Sequence, residues 1–196
     1  MATRFRTKEL SVGTWPDFVK LFSQGHGWDF CACMLFQRGH HLPRSKYPTR
    51  SEMHVKNLEE KRQLVDQGRA HGILVYADGE PVGWCQYGPA DELPIPGYSR
   101  KNSKHPTGFM ISLNDAGRAV NVPGANGVDW RISCYVTNKD VGQRNKGVAT
   151  AAFQAALESI AKQGGGLVEA LMPGAWAPKW AAKNESVQLI RVERRR

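Results

Sequence analysis

At 196 residues, 41% hydrophobic and 23% charged, the chain has the length and balance of one soluble globular domain spanning 1–196 with a proper core. No run of ~18 apolar residues offers a transmembrane helix, and the opening MATRFRTKEL lacks the apolar centre of a secretory signal, so a cytoplasmic protein with no membrane partner is expected. A net charge of +9 suits a polyanionic cofactor, nucleic acid or a merely basic surface. No nucleic-acid module accompanies it, and the densest run, Arg191 with Arg194 to Arg196, reads as a solvated tail over 191–196.

Thr3 to Leu10 is strand-like, and Pro16 to Phe22 reads as a short helix opened by Pro16 and Asp17 and stopped by Gly25 and Gly27. Cys31-Ala-Cys33, with His26, His40 and His41 nearby, lacks the spacing of a zinc site, and small thiols packed beside Met34 and Phe36 account for it as well. No metal is expected, and the four cysteines should be reduced thiols. A loop over His40 to Arg50 leads to Ser51 as N-cap of a helix that runs through Val55, Leu58 and Val65 to Gly68. Its many charges imply one exposed face. Gly72 to Ala77 and Pro81 to Tyr87 are strands joined by Asp78-Gly79, the strongest two-residue hairpin signal.

Gly88 to Val128 is a long irregular insertion with room for a short hairpin at Phe109 to Leu113 and Ala119 to Val122. Asp129 to Thr137 resumes as a strand. A helix follows from about Lys146 to Gln163, with Val148, Ala152, Ala155, Ala156 and Ile160 on one stripe and Gly164 to Gly166 ending it. Leu167 to Met172 is an apolar strand. A short helix near Trp176 to Asn184 and a strand over Val187 to Val192 complete the order. Strand, helix and strand in succession imply a parallel pair with a crossover, hence an α/β fold: a mixed sheet flanked by helices.

Between that strand and that helix lies Arg144-Asn145-Lys146-Gly147-Val148-Ala149. The first N–H groups of a helix lack intrahelical partners and carry partial positive charge, which an anionic phosphate satisfies. Gly147 permits close approach, Ala149 keeps the first turn uncrowded, and Arg144 and Lys146 add charge. Arg144, Gly147 and Ala149 match R-x-x-G-x-A, and with the strand DWRISCYVT before them the sequence resembles the GNAT superfamily of N-acetyltransferases. The segments CACM, LVDQG and GEPVGWCQYGP extend a fainter likeness to a bacterial GNAT group, over roughly Thr3 to Met172. The resemblance implies a GNAT-like acyl-CoA N-acyltransferase fold, with acetyl-CoA as co-substrate and a primary amine of a small molecule or protein as acceptor. It implies cofactor contacts from Tyr135, Val136, Arg144, Asn145, Lys146, Gly147, Val148 and Ala149, and it allows a homodimer. A departure from the family is that only Pro173 to Arg196 follows the strand ending at Met172, so its last strand is missing.

Direct attack by the amine requires positioning and loss of a proton. Glu169 interrupts the apolar strand LVEALM and is the candidate base, the alternative being a structural carboxylate bonded to a neighbouring loop or to Arg131. Asp129 is a weaker candidate. Many GNAT enzymes protonate the leaving thiolate with a later tyrosine, but no tyrosine follows Tyr135 here. Cys134 reads as a core residue. Rival readings are an acyl-CoA-binding sensor without turnover and a zinc- or nucleic-acid-binding protein.

Overall fold

The computed structural model describes residues 5–25, 29–93, 110–113, 119–122, 127–138, 146–171 and 187–194. In chain order the elements are β1 (Arg6–Glu9), α1 (Trp15–Leu21), α2 (Met34–Arg38), α3 (Arg50–Asp66), β2 (Gly72–Ala77), β3 (Glu80–Pro89), β4 (Met110–Leu113), β5 (Ala119–Val122), β6 (Trp130–Thr137), α4 (Val148–Lys162), β7 (Gly166–Leu171) and β8 (Val187–Val192). Single 3₁₀ turns at Val12–Thr14 and Asp29–Cys31 precede α1 and α2. A six-stranded sheet runs β1-β2-β3-β6-β7-β8, and β4 with β5 forms a separate hairpin. Within the large sheet only β6 and β7 are parallel, joined through α4. This is the mixed α/β architecture expected from the order of elements.

Local chemistry explains the principal boundaries. Asp78 and Gly79 have φ of +51° and +87°, the paired left-handed geometry that a two-residue hairpin of matching twist requires. The cap of α3 is Thr49, not Ser51. Its hydroxyl accepts from the Glu52 N–H at 3.2 Å while the Glu52 carboxylate accepts from the Thr49 N–H at 2.9 Å, a reciprocal box that satisfies two open donors. The buried stripe of α3 is Met53, Asn57, Lys61 and Val65, spaced four apart as one helix face demands. Val55, expected among the apolar contacts, is instead exposed. Helix α2 was not foreseen. The helix expected over 176–184 lies outside the described residues.

Strand alternation separates two cores. Helix α4 covers Ile73, Val75, Ala77, Val82, Cys85, Tyr87, Ile132, Val168 and Ala170 with its own Val148, Ala152, Ala156 and Ile160. The opposite face packs Leu74, Tyr76 and Trp84 against Phe18, Leu21 and Phe22 of the α1 region. There the Trp84 ring meets Phe18 edge-on at 4.9 Å and lies directly on Gly72, where any Cβ would overlap the indole.

Candidate functional site

The candidate site begins with an irregularity in β6. Gln86 is opposite Cys134, but the next residue of β3, Tyr87, is opposite Ile132. Ser133 is therefore the extra residue of a β-bulge, which bends a strand and re-aims its side chains. Before it, Ile132 faces α4. After it, Cys134 and Val136 pack on the opposite face, and Ser133 reaches Gln86 there.

The described pairing of β6 with β7 ends next to the bulge. The parallel pairing covers Trp130, Arg131 and Ile132 only, although β6 continues to Thr137. Among the described residues the pairing of β6 with β7 extends to Ile132 and Ala170, and residues 172–186 lie outside them. The Asn138 N–H donates to the Val82 carbonyl at 2.9 Å. Alternation then directs the Val136 main chain toward β3 and those of Tyr135 and Thr137 away from it. The Tyr135 side chain packs on the α4 side, where burial pushes its phenol pKa up.

Helix α4 starts beside the end of β6, over Gly83, which pairs with Thr137. Gly147 is its N-cap, exposed, with φ +93° and nothing within 4 Å of where a Cβ would stand. The first helical bond runs from the Ala151 N–H to the Gly147 carbonyl at 2.9 Å, which leaves the N–H groups of Val148, Ala149 and Thr150 directed out of the helix end. Val148 and Ala149 are buried. Gly83 lets Val148 sit on β3, because a Cβ there would come within 2.2 Å of Val148 Cγ1 and 3.4 Å of the Val136 carbonyl. The side chains of Val148 and Ala149 thus pin the helix start to the sheet, and its main chain is what faces outward. Lys146 is exposed beside it. Arg144 and Asn145 lie outside the described residues.

Glu169 lies elsewhere. It is paired in register with Arg131, and its carboxylate accepts from Arg131 Nε at 2.5 Å, with both side chains largely buried. Arg131 also donates to the Ala90 carbonyl at 2.9 Å and to that of Leu93. Arg131 is opposite Gly88 and Tyr135 opposite Cys85, so at ~3.3 Å per residue of β3 the two are ~10 Å apart along the sheet. The observed partner is the Arg131 named in the structural alternative. Asp129 accepts from the Leu167 N–H at 2.8 Å and so closes the start of β7.

Sequence reasoning missed a buried polar cluster on the face opposite α4. Lys61 is fully buried and donates to Gln37 Oε1 at 3.2 Å. The Gln86 amide fits this surround with its oxygen accepting from Lys61 Nζ at 3.1 Å and its nitrogen donating to the Cys33 carbonyl at 3.0 Å. Cys33 Sγ lies 2.8 Å from Cys134 Sγ, and Cys134, half-buried, also packs against the cluster of Leu74, Tyr76 and Trp84, the core placement expected of it. The four-residue spacing from Met53 through Asn57 and Lys61 to Val65 was a signal for it, masked by the polarity of Asn57 and Lys61.

The mixed sheet flanked by helices, with the parallel pair β6 and β7 joined through a glycine-opened helix, is a GNAT-like fold. Among solved structures the chain is similar to the GNAT family N-acetyltransferase YhbS of Escherichia coli, determined in complex with CoA. The identity is 13%, covering 98% of this chain and 83% of that one, with a TM-score of 0.50. It is also similar to a histone acetyltransferase HPA2 and related acetyltransferase of Corynebacterium glutamicum, at 15% identity over 88% of this chain and 77% of that one, with a TM-score of 0.44. The sequence matches no protein-family model and no curated protein.

Proposed function

We propose that the chain is an acetyl-CoA-dependent N-acetyltransferase acting on a primary amine. The observation that carries this reading is the glycine-capped start of α4, seated on β3 beside the last residues of β6. The main-chain N–H groups of Val148, Ala149 and Thr150, with the Lys146 ammonium, suit a pyrophosphate, and Arg144 and Asn145 directly precede them in sequence. The Tyr135 main chain, turned away from β3, suits an extended amide-bearing arm, while Val136 fixes the strand to β3. The solved structure of YhbS with CoA supports the choice of ligand. When bound, acetyl-CoA supplies a thioester whose acetyl carbon an amine can attack. The chain's contribution is to hold that carbon in line and to exclude water. Glu169 holds Arg131 and, through it, the loop carbonyls of Ala90 and Leu93; on this reading its role is positioning.

The test uses Gly147→Trp, whose side chain would occupy the empty space at the helix start. A φ of +93° makes any side chain there cost ~1–2 kcal/mol, which leaves a folded protein. Calorimetry is expected to show acetyl-CoA binding to the native chain and none to a folded Gly147→Trp. Equal affinity for both would remove the site from α4. Thiol release across a panel of amines then separates turnover from the sensor reading, which the lack of a tyrosine after Tyr135 favours: binding without thiol release toward any amine would select the sensor.

A further inference from the structure

The cluster around Lys61 has no part in the reading above. Its ammonium is enclosed by Gln37, Gln86 and the cysteines, and among the described residues no carboxylate is paired with it. The neighbouring carboxylate of Glu60 is taken by Arg38, which also donates to Asn57 Oδ1 at 2.8 Å. Burial lowers the Lys61 pKa to about 8, so a neutral amine is within reach at physiological pH.

Two separate distortions of the backbone bring Cys33 and Cys134 together beside this amine. Ala32 and Cys33 are consecutive non-glycine residues in the left-handed region, at φ +43° and +52°, a conformation costing ~1–2 kcal/mol per residue. Such strain persists only where surrounding structure holds it, and it clusters at functional positions. The second distortion is the bulge at Ser133, without which Cys134 would point at α4. Both serve one result, a sulfur–sulfur contact of 2.8 Å. Cys33 is buried and Cys134 half-buried, an arrangement with one reachable thiol and one enclosed partner.

We propose that Cys33 and Cys134 are a reversible dithiol–disulfide site that reacts with hydroperoxides, with Lys61 as its proton acceptor. Cys134 reacts first: its thiolate attacks the terminal peroxide oxygen, the O–O bond breaks, and the other oxygen leaves as an alcohol, or as water from hydrogen peroxide. The sulfur is left as a sulfenic acid. Cys33 then attacks that sulfur and its proton passes to the Lys61 amine. Burial holds the Cys33 thiol pKa well above its ordinary value, so this step needs a base already in place. The S–O bond breaks, and hydroxide takes the proton back from Lys61 and departs as water. Two thiols and one hydroperoxide give one disulfide, one water and one alcohol or second water. A dithiol reductant reverses the bond by exchange. The bond ties the segment carrying α2 to β6 next to its bulge. None of this depends on the acyl-transfer reading.

The test treats the folded full-length protein with hydrogen peroxide and follows intact mass. The expected result is the loss of two hydrogens per chain, reversed by dithiothreitol, with a non-reduced peptide map joining the Cys33 peptide to the Cys134 peptide. Cys33→Ser should halt the reaction at a sulfenic acid on Cys134, trapped by dimedone, and Cys31→Ser should leave the bridge unchanged. Lys61→Met should slow closure roughly 10²-fold without slowing sulfenylation of Cys134. Free thiols at Cys33 and Cys134 after treatment, a bridge through Cys31, or a Cys33→Ser protein with no trapped sulfenic acid would each overturn the assignment. Closure at the native rate in Lys61→Met would remove Lys61 from it.

Discussion

The two faces of the large sheet are built from opposite materials. Against α4 lie aliphatic side chains, alanines and Tyr87, and the small Ala152 and Ala156 bring the helix close. Against α1 to α3 the aromatic cluster of Phe18, Phe22 and Trp84 gives way to Lys61, Gln86, Ser133, Asn57 and the Arg131–Glu169 pair. Apolar packing tolerates little displacement, which suits a face that must hold the start of one helix against one strand. A buried polar cluster is held by specific partners and loses much when one is removed. The first face fixes geometry; the second stores groups whose charge can change.

That contrast breaks most sharply at Lys61. Its folded pKa of about 8 lies below the unfolded value of ~10.4. Between those pH values the unfolded chain binds more protons, so stability rises with pH; below about 8 the full penalty of burying the charge, ~3 kcal/mol, is present. Lys61→Met should therefore be more stable than the native chain by up to ~3 kcal/mol at pH 7, with the difference shrinking toward pH 10. Urea midpoints at three pH values measure this. A variant no more stable at pH 7 would mean that the amine is well solvated.

Glu169→Gln comes next. It removes the charge facing Arg131 while keeping the shape, and it should cost ~2–3 kcal/mol. Turnover per folded molecule should stay near that of the native chain. A stable Glu169→Gln protein with kcat reduced ~10²-fold would instead make the carboxylate the base.

The smallest effect tests the dry face. Gly83→Ala places a methyl group where Val148 already sits, and overpacking of this kind should cost ~1–2 kcal/mol. The start of α4 must shift in response, so acetyl-CoA affinity should fall along with the melting temperature. An unchanged affinity in a destabilised variant would separate the helix start from the ligand.

The sequence made the dry face legible because its signals are local. The alanine-rich stripe of α4, the glycines at both of its ends and the Asp78-Gly79 turn each follow from the conformational limits of a few neighbouring residues. The polar face is legible only through long-range contacts. Lys61 reads as part of an exposed helix face until Gln37 and Gln86 are brought around it. Left-handed backbone at Ala32 and Cys33 carries no glycine to announce it, and no glycine or proline marks the bulge at Ser133. The cap at Thr49 was readable from Thr49 and Glu52, three apart, but Ser51 stood nearer to the first apolar position. Glu169 was singled out correctly as a buried carboxylate, and Arg131, named beside it, is the partner that folding supplies.

The bulge at Ser133 has an evolutionary consequence. A strand assigns its residues to two faces by parity, odd positions to one and even positions to the other, and one extra residue reverses that assignment for everything downstream. From Cys134 to Thr137 the chain obeys the opposite rule to Trp130 through Ile132. Straightening the strand with Ser133 kept would return Cys134 to the α4 side and turn the side chain of Tyr135 toward Lys61, exchanging a thiol for a phenol with no substitution at either position. Loss of the Ser133 codon, by contrast, would make the strand regular and leave Cys134 and Tyr135 on the faces they now occupy.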